Sequence, residues 1–191
     1  MSAVSCLCLF SYRFLLYDKG NMSKLYFQEL ETPLGTLVVV GSSKGICRIC
    51  FSVQSFRDLS PWFQRHFSCL PEEGWQPPIR EAIEQLTQYF EGKRRDFDLP
   101  LDLRGTSFQL GMWKQLLKIP YGSTASYGEV ARRMGNPGAS RAVGSAAGSN
   151  PVSIVVPCHR VIGQDGSLVG FGGGLAIKKQ LLGSESREAA L

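Results

Sequence analysis

Residues 126–149 read SYGEVARRMGNPGASRAVGSAAGS, and the punctuation of this stretch decides what fold the second half of the chain can adopt. Ser126 is placed to cap a helix, YGEVARRM, with Glu129 three residues on in the capping-box position. Gly135-Asn136-Pro137-Gly138 then makes a turn, and a further helix follows over 138–149. Helix, short turn, helix is the grammar of a helix-turn-helix DNA reader, and equally of any αα-hairpin. Composition tips the balance. A helix facing a core carries Leu or Ile, whereas this one is built of Ala, Gly and Ser and keeps its outer face thin. Such a face lets the backbone press close to a groove floor or a phosphate chain. Upstream, Ser107 is expected to cap a helix with Phe108, Met112, Trp113, Leu116 and Leu117 on one face, stopped by Pro120–Gly122.

The first half has a different texture. Leu25–Leu30, Leu37–Val40 and Ile46–Phe51 are short apolar or alternating runs set between Pro33, Gly35, Gly41 and Gly45, which predicts strands. Residues 78–91 place Ile79, Ile83, Leu86 and Phe90 at helical spacing, with Pro77 and Pro78 at the start and Gly92 just past the end. Phe97–Leu103 reads as a last strand. The expected organisation is α+β: an N-terminal extension over 1–22, an α/β domain over 23–103 and a helical domain over 104–191. Charge follows the same division. Residues 1–103 hold 11 Lys/Arg against 12 Asp/Glu and residues 104–191 hold 10 against 4, nets of −1 and +6. A basic half joined to a near-neutral one suits a polyanionic partner. Six cysteines in 191 residues show no paired spacing and fit reduced thiols inside a cell better than a disulfide scaffold. At the start of the chain Arg13 and Lys19 lie within or after the apolar run, which argues against a signal peptide. No run approaches the length of a membrane span.

Residues 150–163 read NPVSIVVPCHRVIG. An apolar strand, Ile154–Val156, is expected to end at Pro157 and deliver Cys158, His159 and Arg160 at a turn. A free cysteine is usually a small buried hydrophobe, and Cys47, Cys50 and Cys69 suit that description. Cys158 differs because two potentially cationic side chains follow it, which should raise its thiolate fraction above the ~3% of an ordinary thiol at pH 7. His159, one of two histidines, is the natural base for a cysteine nucleophile.

Pro157-Cys158-His159-Arg160, with Asn150-Pro151 before it and Val161-Ile162-Gly163 after it, resembles the active-site signature of the O6-alkylguanine-DNA alkyltransferases, also called methylated-DNA–protein-cysteine methyltransferases. The likeness runs from Trp113 to Leu182 through IPYG, SYGEVA, NPGASRAVGSA and GGLAIKKQLL, and more loosely through the first half. It implies a ribonuclease H-like N-terminal domain followed by a winged-helix/helix-turn-helix domain that enters the minor groove and carries the chemistry. It implies that Cys158 takes the alkyl group from O6-alkylguanine, and from O4-alkylthymine, irreversibly, once per molecule and with no cofactor. In the same resemblance His159 takes the thiol proton through a water and Glu185 supports it. Tyr127 crowds the lesion phosphate and protonates the departing base at N3, and Arg141 fills the gap left by the flipped nucleotide. Flipping is required because a cysteine cannot enter the stacked duplex. Ala139, Ser140, Gly144, Asn150 and Arg160 are further expected DNA contacts, Asn150 also fastening the turn beside the site. Val161, Ser153, Phe171 and Gly172 are expected to line the substrate pocket, with the carbonyls of Cys158 and Val161 receiving the guanine amino group. Phe171 stands where a tyrosine is common, and Ser153 and Gly148 stand where the mammalian form has Pro and Arg.

Other signals point elsewhere and are weaker. Cys47, Cys50, His66 and Cys69 have near-zinc spacing, but residues three apart in a strand should face opposite ways, so no metal is expected. Gly170–Gly174 fails the dinucleotide pattern at Leu175 and reads as a loop that lets DNA approach. Lys93-Arg94-Arg95 reads as a solvated charge cluster. The rival reading is a DNA-binding regulator or lesion marker without chemistry. Lesion-binding relatives that do no repair carry Trp at the motif position, so Cys158 argues for a transferase. The expected partner is double-stranded DNA carrying O6-alkylguanine, met by a monomer with no membrane association, in the cytoplasm or, in a eukaryote, the nucleus.

Overall fold

The computed structural model of the chain describes residues 24–189, so the expected extension over 1–22 lies outside it. Three antiparallel strands open the fold: β1 (Leu25–Thr32), β2 (Gly35–Ser42) and β3 (Gly45–Cys50). A two-residue strand, β4 (Glu72–Glu73), pairs parallel with β1, giving the order β3-β2-β1-β4. The Leu37–Val40 run is continuous rather than alternating because both faces of β2 are covered. Leu37 and Val39 pack with Ile79, Ala82 and Leu86 of helix α3 (Pro77–Phe90), while Val38 and Val40 pack with Phe63 and Phe67 of helix α2 (Ser60–Phe67). Helix α2 and the shorter α1 (Val53–Arg57), capped by Ser52, were not apparent in the sequence pattern.

Two details of β3 correct the sequence reading. The register steps from Val40↔Arg48 to Gly41↔Ile46, which leaves Cys47 as the extra residue of a β-bulge. The bulge puts Cys47 and Cys50 on the same side, in the cluster with Phe63 and Phe67, so the opposite-face argument fails. Phe97–Leu103 is not a strand. It meets β3 only where Ile46 N–H donates to the Pro100 carbonyl (2.8 Å) and Asp102 N–H to the Ile46 carbonyl (2.9 Å). Pro100 has no N–H to extend a ladder. Gly45 (φ +150°) lies so close that any side chain there would overlap the Pro100 carbonyl.

The second half is helical: α4 (Ser107–Leu116), α5 (Tyr127–Arg133), α6 (Ser140–Gly148) and α7 (Leu175–Ala189). The cap of α4 is Thr106, not Ser107, closed reciprocally with Gln109. The Ser126–Glu129 box of α5 forms as expected, with Ser126 N–H donating to Glu129 Oε2 at 2.6 Å and Glu129 N–H to Ser126 Oγ at 3.1 Å. Small residues on α6 serve inward packing as well as the outer face. Val143, Ala146 and Ala147 are buried, and Trp113 of α4 comes close enough for its indole N–H to reach the Ala146 carbonyl (2.8 Å). Strand β5 (Ala125–Ser126) pairs parallel with β6 (Val161–Ile162), which anchors the start of α5 beside the turn carrying Cys158. Among the described residues no helix is long and apolar enough to cross a membrane.

Candidate active site

The expected strand at Ile154–Val156 is a buried turn instead. Val156 N–H closes it onto the Val152 carbonyl (2.9 Å), and the Asn150 side chain stitches it from inside. Asn150 Nδ2 donates to the Val156 carbonyl (2.8 Å) and its Oδ1 accepts from Val152 N–H (3.1 Å). Side-chain bonds of this kind compete directly with a strand ladder. Ile154 takes φ +75°, a conformation costing a β-branched residue on the order of 1–3 kcal/mol. A single turn of 3-10 helix, Cys158–Arg160, follows.

Cys158 is only 5% exposed. Its sulfur accepts from Asn150 Nδ2 at 3.0 Å, with Ser153 Oγ 4.0 Å away. Burial raises the thiol pKa above its usual 9.0, against the lowering effect of Asn150, Ser153 and the Lys178 charge. The expectation that His159 and Arg160 would favour the thiolate is therefore corrected: desolvation wins, and Arg160 is committed elsewhere.

His159 is fully buried, and its Nε2 lies 2.9 Å from Glu185 Oε1. Burial lowers its pKa, outweighing the Glu185 carboxylate, so the ring is neutral. Nε2–H then donates to Glu185, leaving Nδ1 as an acceptor with no partner among the described residues. Glu185, 1% exposed, also accepts from Arg160 Nε (2.9 Å), Arg160 Nη2 (3.0 Å), Tyr89 Oη (2.8 Å) and Gly122 N–H (3.2 Å). Burial alone would raise its pKa, but the His159 and Arg160 bonds prevail and hold it at about 2.

A cleft of about 530 Å³ opens between α6 and the loop after β6, and its Tyr127 lies near enough to Cys158 for a thiolate there to raise the phenol's pKa. One wall is the thin face of α6, from Ser140 and Arg141 through Gly144 to Gly148, with Tyr127 beside it. The other is the loop holding Val169, Phe171 and Gly172. Tyr127 Oη donates to the Val169 carbonyl (2.7 Å) and ties the two walls together. Behind the loop, Phe171 meets Phe51 edge-on at 5.4 Å, and a Cβ at Gly173 would come within 2.8 Å of the Phe51 ring.

A family model described as the DNA binding domain of 6-O-methylguanine DNA methyltransferase matches residues 107–187, and one described as its ribonuclease-like domain matches residues 25–103. The chain belongs to this family. The methylated-DNA–protein-cysteine methyltransferase of Mycobacterium tuberculosis strain H37Rv is 42% identical over 165 residues, 86% of this chain and 94% of that one. An inducible protein of the same name from Bacillus subtilis is 39% identical over 172 residues, 89% and 95% of the two chains. Among solved structures, the O6-methylguanine methyltransferase of M. tuberculosis has a TM-score of 0.74 at 42% identity, covering 86% of this chain and 94% of its own. The M. tuberculosis OGT structure in complex with DNA has a TM-score of 0.73, also at 42% identity, over 85% and 94% of the two chains.

In this family member the expected site residues fall into two groups. Tyr127, Ser140, Arg141, Gly144, Phe171 and Gly172 share the cleft, with Ala139 at the cap of α6. Cys158, His159, Glu185, Asn150, Ser153 and Val161 form the buried group behind it. Arg160 belongs to the second group, which corrects its expected place at the DNA surface: it is buried, bidentate on Glu185, and donates to the Ile119 carbonyl at 2.7 Å. Asn150 is likewise an internal fastener, not a surface contact.

Sequence reasoning missed Lys178. It is buried, and its ammonium donates to the carbonyls of Val161 (2.6 Å), Val169 (2.9 Å) and Gly170 (3.4 Å), clamping the cleft loop to the Cys158 turn. The Val161 carbonyl, expected to receive guanine, thus already has one donor. A signal existed: Lys178, Leu181 and Glu185 follow helical spacing on one face of α7, so one of the paired lysines had to point inward. Tyr89 was missed as well, since nothing in its local sequence separates it from a packing residue.

Proposed function

We propose that this protein repairs DNA by moving an alkyl group from O6 of guanine, and from O4 of thymine, onto Cys158 Sγ, irreversibly and once per molecule. The observation that carries this reading is the buried Cys158–His159–Glu185 arrangement, in which the one unpartnered acceptor, His159 Nδ1, belongs to the residue next to the thiol. A thiol of pKa 9 is only about 1% ionised at pH 7, and Cys158 lies above that value, so the proton must leave as the reaction proceeds. His159 Nδ1 takes it through a water, and Glu185 stabilises the resulting imidazolium. Sulfur attacks the alkyl carbon, the S–C bond forms as the C–O6 bond breaks, and guanine departs with the electron pair. Tyr127 supplies a proton at N3 and recovers one from solvent. The product thioether has no leaving group and is not hydrolysed.

Recognition rests on the cleft. Arg141, on the exposed first turn of α6, occupies the stack vacated by the flipped nucleotide, and the thin helix face with Ala139, Ser140 and Gly144 lies against the minor groove. The exposed basic residues of 104–191, Lys114, Lys118, Arg132, Arg133, Arg141 and Lys179, supply phosphate contacts, and this stretch is the DNA-binding unit of a monomer, with 23–103 as its companion. Such a protein works wherever the cell keeps its DNA: the cytoplasm, or the nucleus of a eukaryote.

The test uses Cys158→Ala. Phosphate contacts and Arg141 do not need the thiol, so duplex carrying O6-methylguanine should bind within about threefold of the parent, while label transfer to protein disappears. Residual transfer by the variant would place the nucleophile elsewhere.

A further inference from the structure

Tyr89 lies in the last turn of α3, in the sheet-bearing first half of the chain and 96 positions before Glu185. It is buried, and its ring packs against Phe90, Phe97 and Tyr121 at centroid distances of 5.4, 5.3 and 6.1 Å. Tyr121 in turn lies under the Arg160 guanidinium, 5.6 Å from ring to carbon. Packing accounts for the ring. It does not account for the hydroxyl, which sits on the same carboxylate oxygen, Oε1, that accepts from His159.

We propose that Tyr89 is a positioning residue for the reaction, supplied by the N-terminal half, which sets the proton affinity of His159 by sharing Glu185 Oε1 with it. The inference rests on the transfer reaction proposed above. Oε1 carries three donors at once: Tyr89 Oη, His159 Nε2 and Arg160 Nη2. Each donor draws on the same negative charge, so the more the phenol takes, the weaker the pull of the carboxylate on the imidazole. Burial and the neighbouring carboxylate keep the phenol protonated far above the working range, so it donates at every pH where the protein functions. The charged groups acting on His159 are Glu185 and Lys178 from α7 and Arg160 from its own turn, and the Cys158 thiol is its neighbour in the chain. Tyr89 of α3 and Tyr121 act on it through Glu185 and Arg160. Of these, Tyr89 is the neutral donor that can be removed without changing a charge.

Tyr89→Phe keeps the ring and deletes the donor. Glu185 then holds the imidazolium more strongly, and the acid limb of the single-turnover rate profile should move to higher pH by about half a unit to one unit. The rate above the limb should change less than about threefold. A 3,5-difluorotyrosine at position 89, a stronger donor, should move the limb the other way. In the unreacted protein, NMR titration of the His159 ring, distinguished from His66, should show the same two shifts without any DNA. Limbs and ring titrations unchanged within about 0.2 unit in both variants would overturn the role of Tyr89, whatever happens to their melting temperatures. Failure of the parent protein to take up an alkyl group would instead overturn the transfer reading, while the ring titration would still decide the Tyr89–His159 coupling.

Discussion

The turn that carries Cys158 and the cleft in front of it are built from opposite materials. Behind, nearly every polar atom is buried and bonded, with Glu185 alone accepting from Tyr89, Gly122, His159 and Arg160. In front, the walls are glycines, small side chains, one exposed arginine and the rings of Tyr127 and Phe171, with the Tyr127 hydroxyl bonded across to the Val169 carbonyl. A proton relay in low dielectric needs fixed distances and loses heavily if one partner is absent. A surface that must admit a flipped nucleotide needs space, and its side chains can be changed at modest cost. The contrast predicts that substitutions behind the sulfur act on folding and chemistry together, while those in the cleft act on DNA engagement and transfer and leave folding nearly unchanged.

Glu185→Gln should show the largest effect. It leaves the buried Arg160 guanidinium without a counter-charge, which costs about 3–5 kcal/mol where such pairs are broken. Transfer should also slow by about a hundredfold or more, because His159 loses the carboxylate that stabilises its imidazolium and with it the usual contribution of a general base. Chemical denaturation and single-turnover kinetics on one preparation check both. Loss of activity with unchanged stability would mean that Glu185 does not hold the fold.

The same group governs acid stability. Glu185 falls from 4.5 when unfolded to about 2 when folded, so its contribution is fully present above pH 4.5 and is lost as pH drops toward 2. The difference corresponds to about 3 kcal/mol. His159 acts with the same sign: its folded pKa lies below 6.5, so below that pH the unfolded chain takes up a proton that the folded one does not. Stability should therefore decline in two steps on acidification, one starting near pH 6.5 and another below pH 4.5. A denaturation midpoint that stayed flat from pH 7 to pH 3 would contradict both assignments.

The contrast between the two regions also explains what could be read in advance. Local signals were legible: the Ser126–Glu129 box, the turn at 135–138 and the amphipathic α3 all concern neighbours in sequence. Ile154–Val156 looked like a strand because apolar β-branched runs usually are strands, but Asn150 captures their backbone groups from outside the run. The resemblance put Arg160 among the DNA contacts and the local sequence put it beside the thiol, but its partner on α7 lies 25 residues away. Lys178 and Tyr89 were missed for the same reason, since their partners come from distant elements. The family resemblance identified Glu185 where residue type alone suggested a solvated charge.

Changes in the cleft should be smaller and should spare the stability of the fold. Arg141→Ala should weaken binding to lesion-bearing duplex more than to undamaged duplex. If Arg141 were only a phosphate contact, log K against log salt would lose about 0.9 in slope and discrimination would stay as it was. Phe171→Ala should slow transfer by roughly ten- to a hundredfold, the value of one base–aromatic stack. Phe171→Tyr keeps the ring and should change the rate least of all, on methyl and on bulkier benzyl lesions alike. A gain above about tenfold for Phe171→Tyr would show that a hydroxyl is needed there.

The central claim is that Cys158 is consumed by its own reaction, and intact-mass measurement with peptide mapping tests it most directly. With a tenfold excess of duplex carrying O6-methylguanine, the protein should gain one methyl group, on Cys158, and then stop, with unmodified guanine in the DNA in equal amount. Continued repair beyond one lesion per protein, or a methyl group on Cys47, Cys50 or Cys69, would contradict the account.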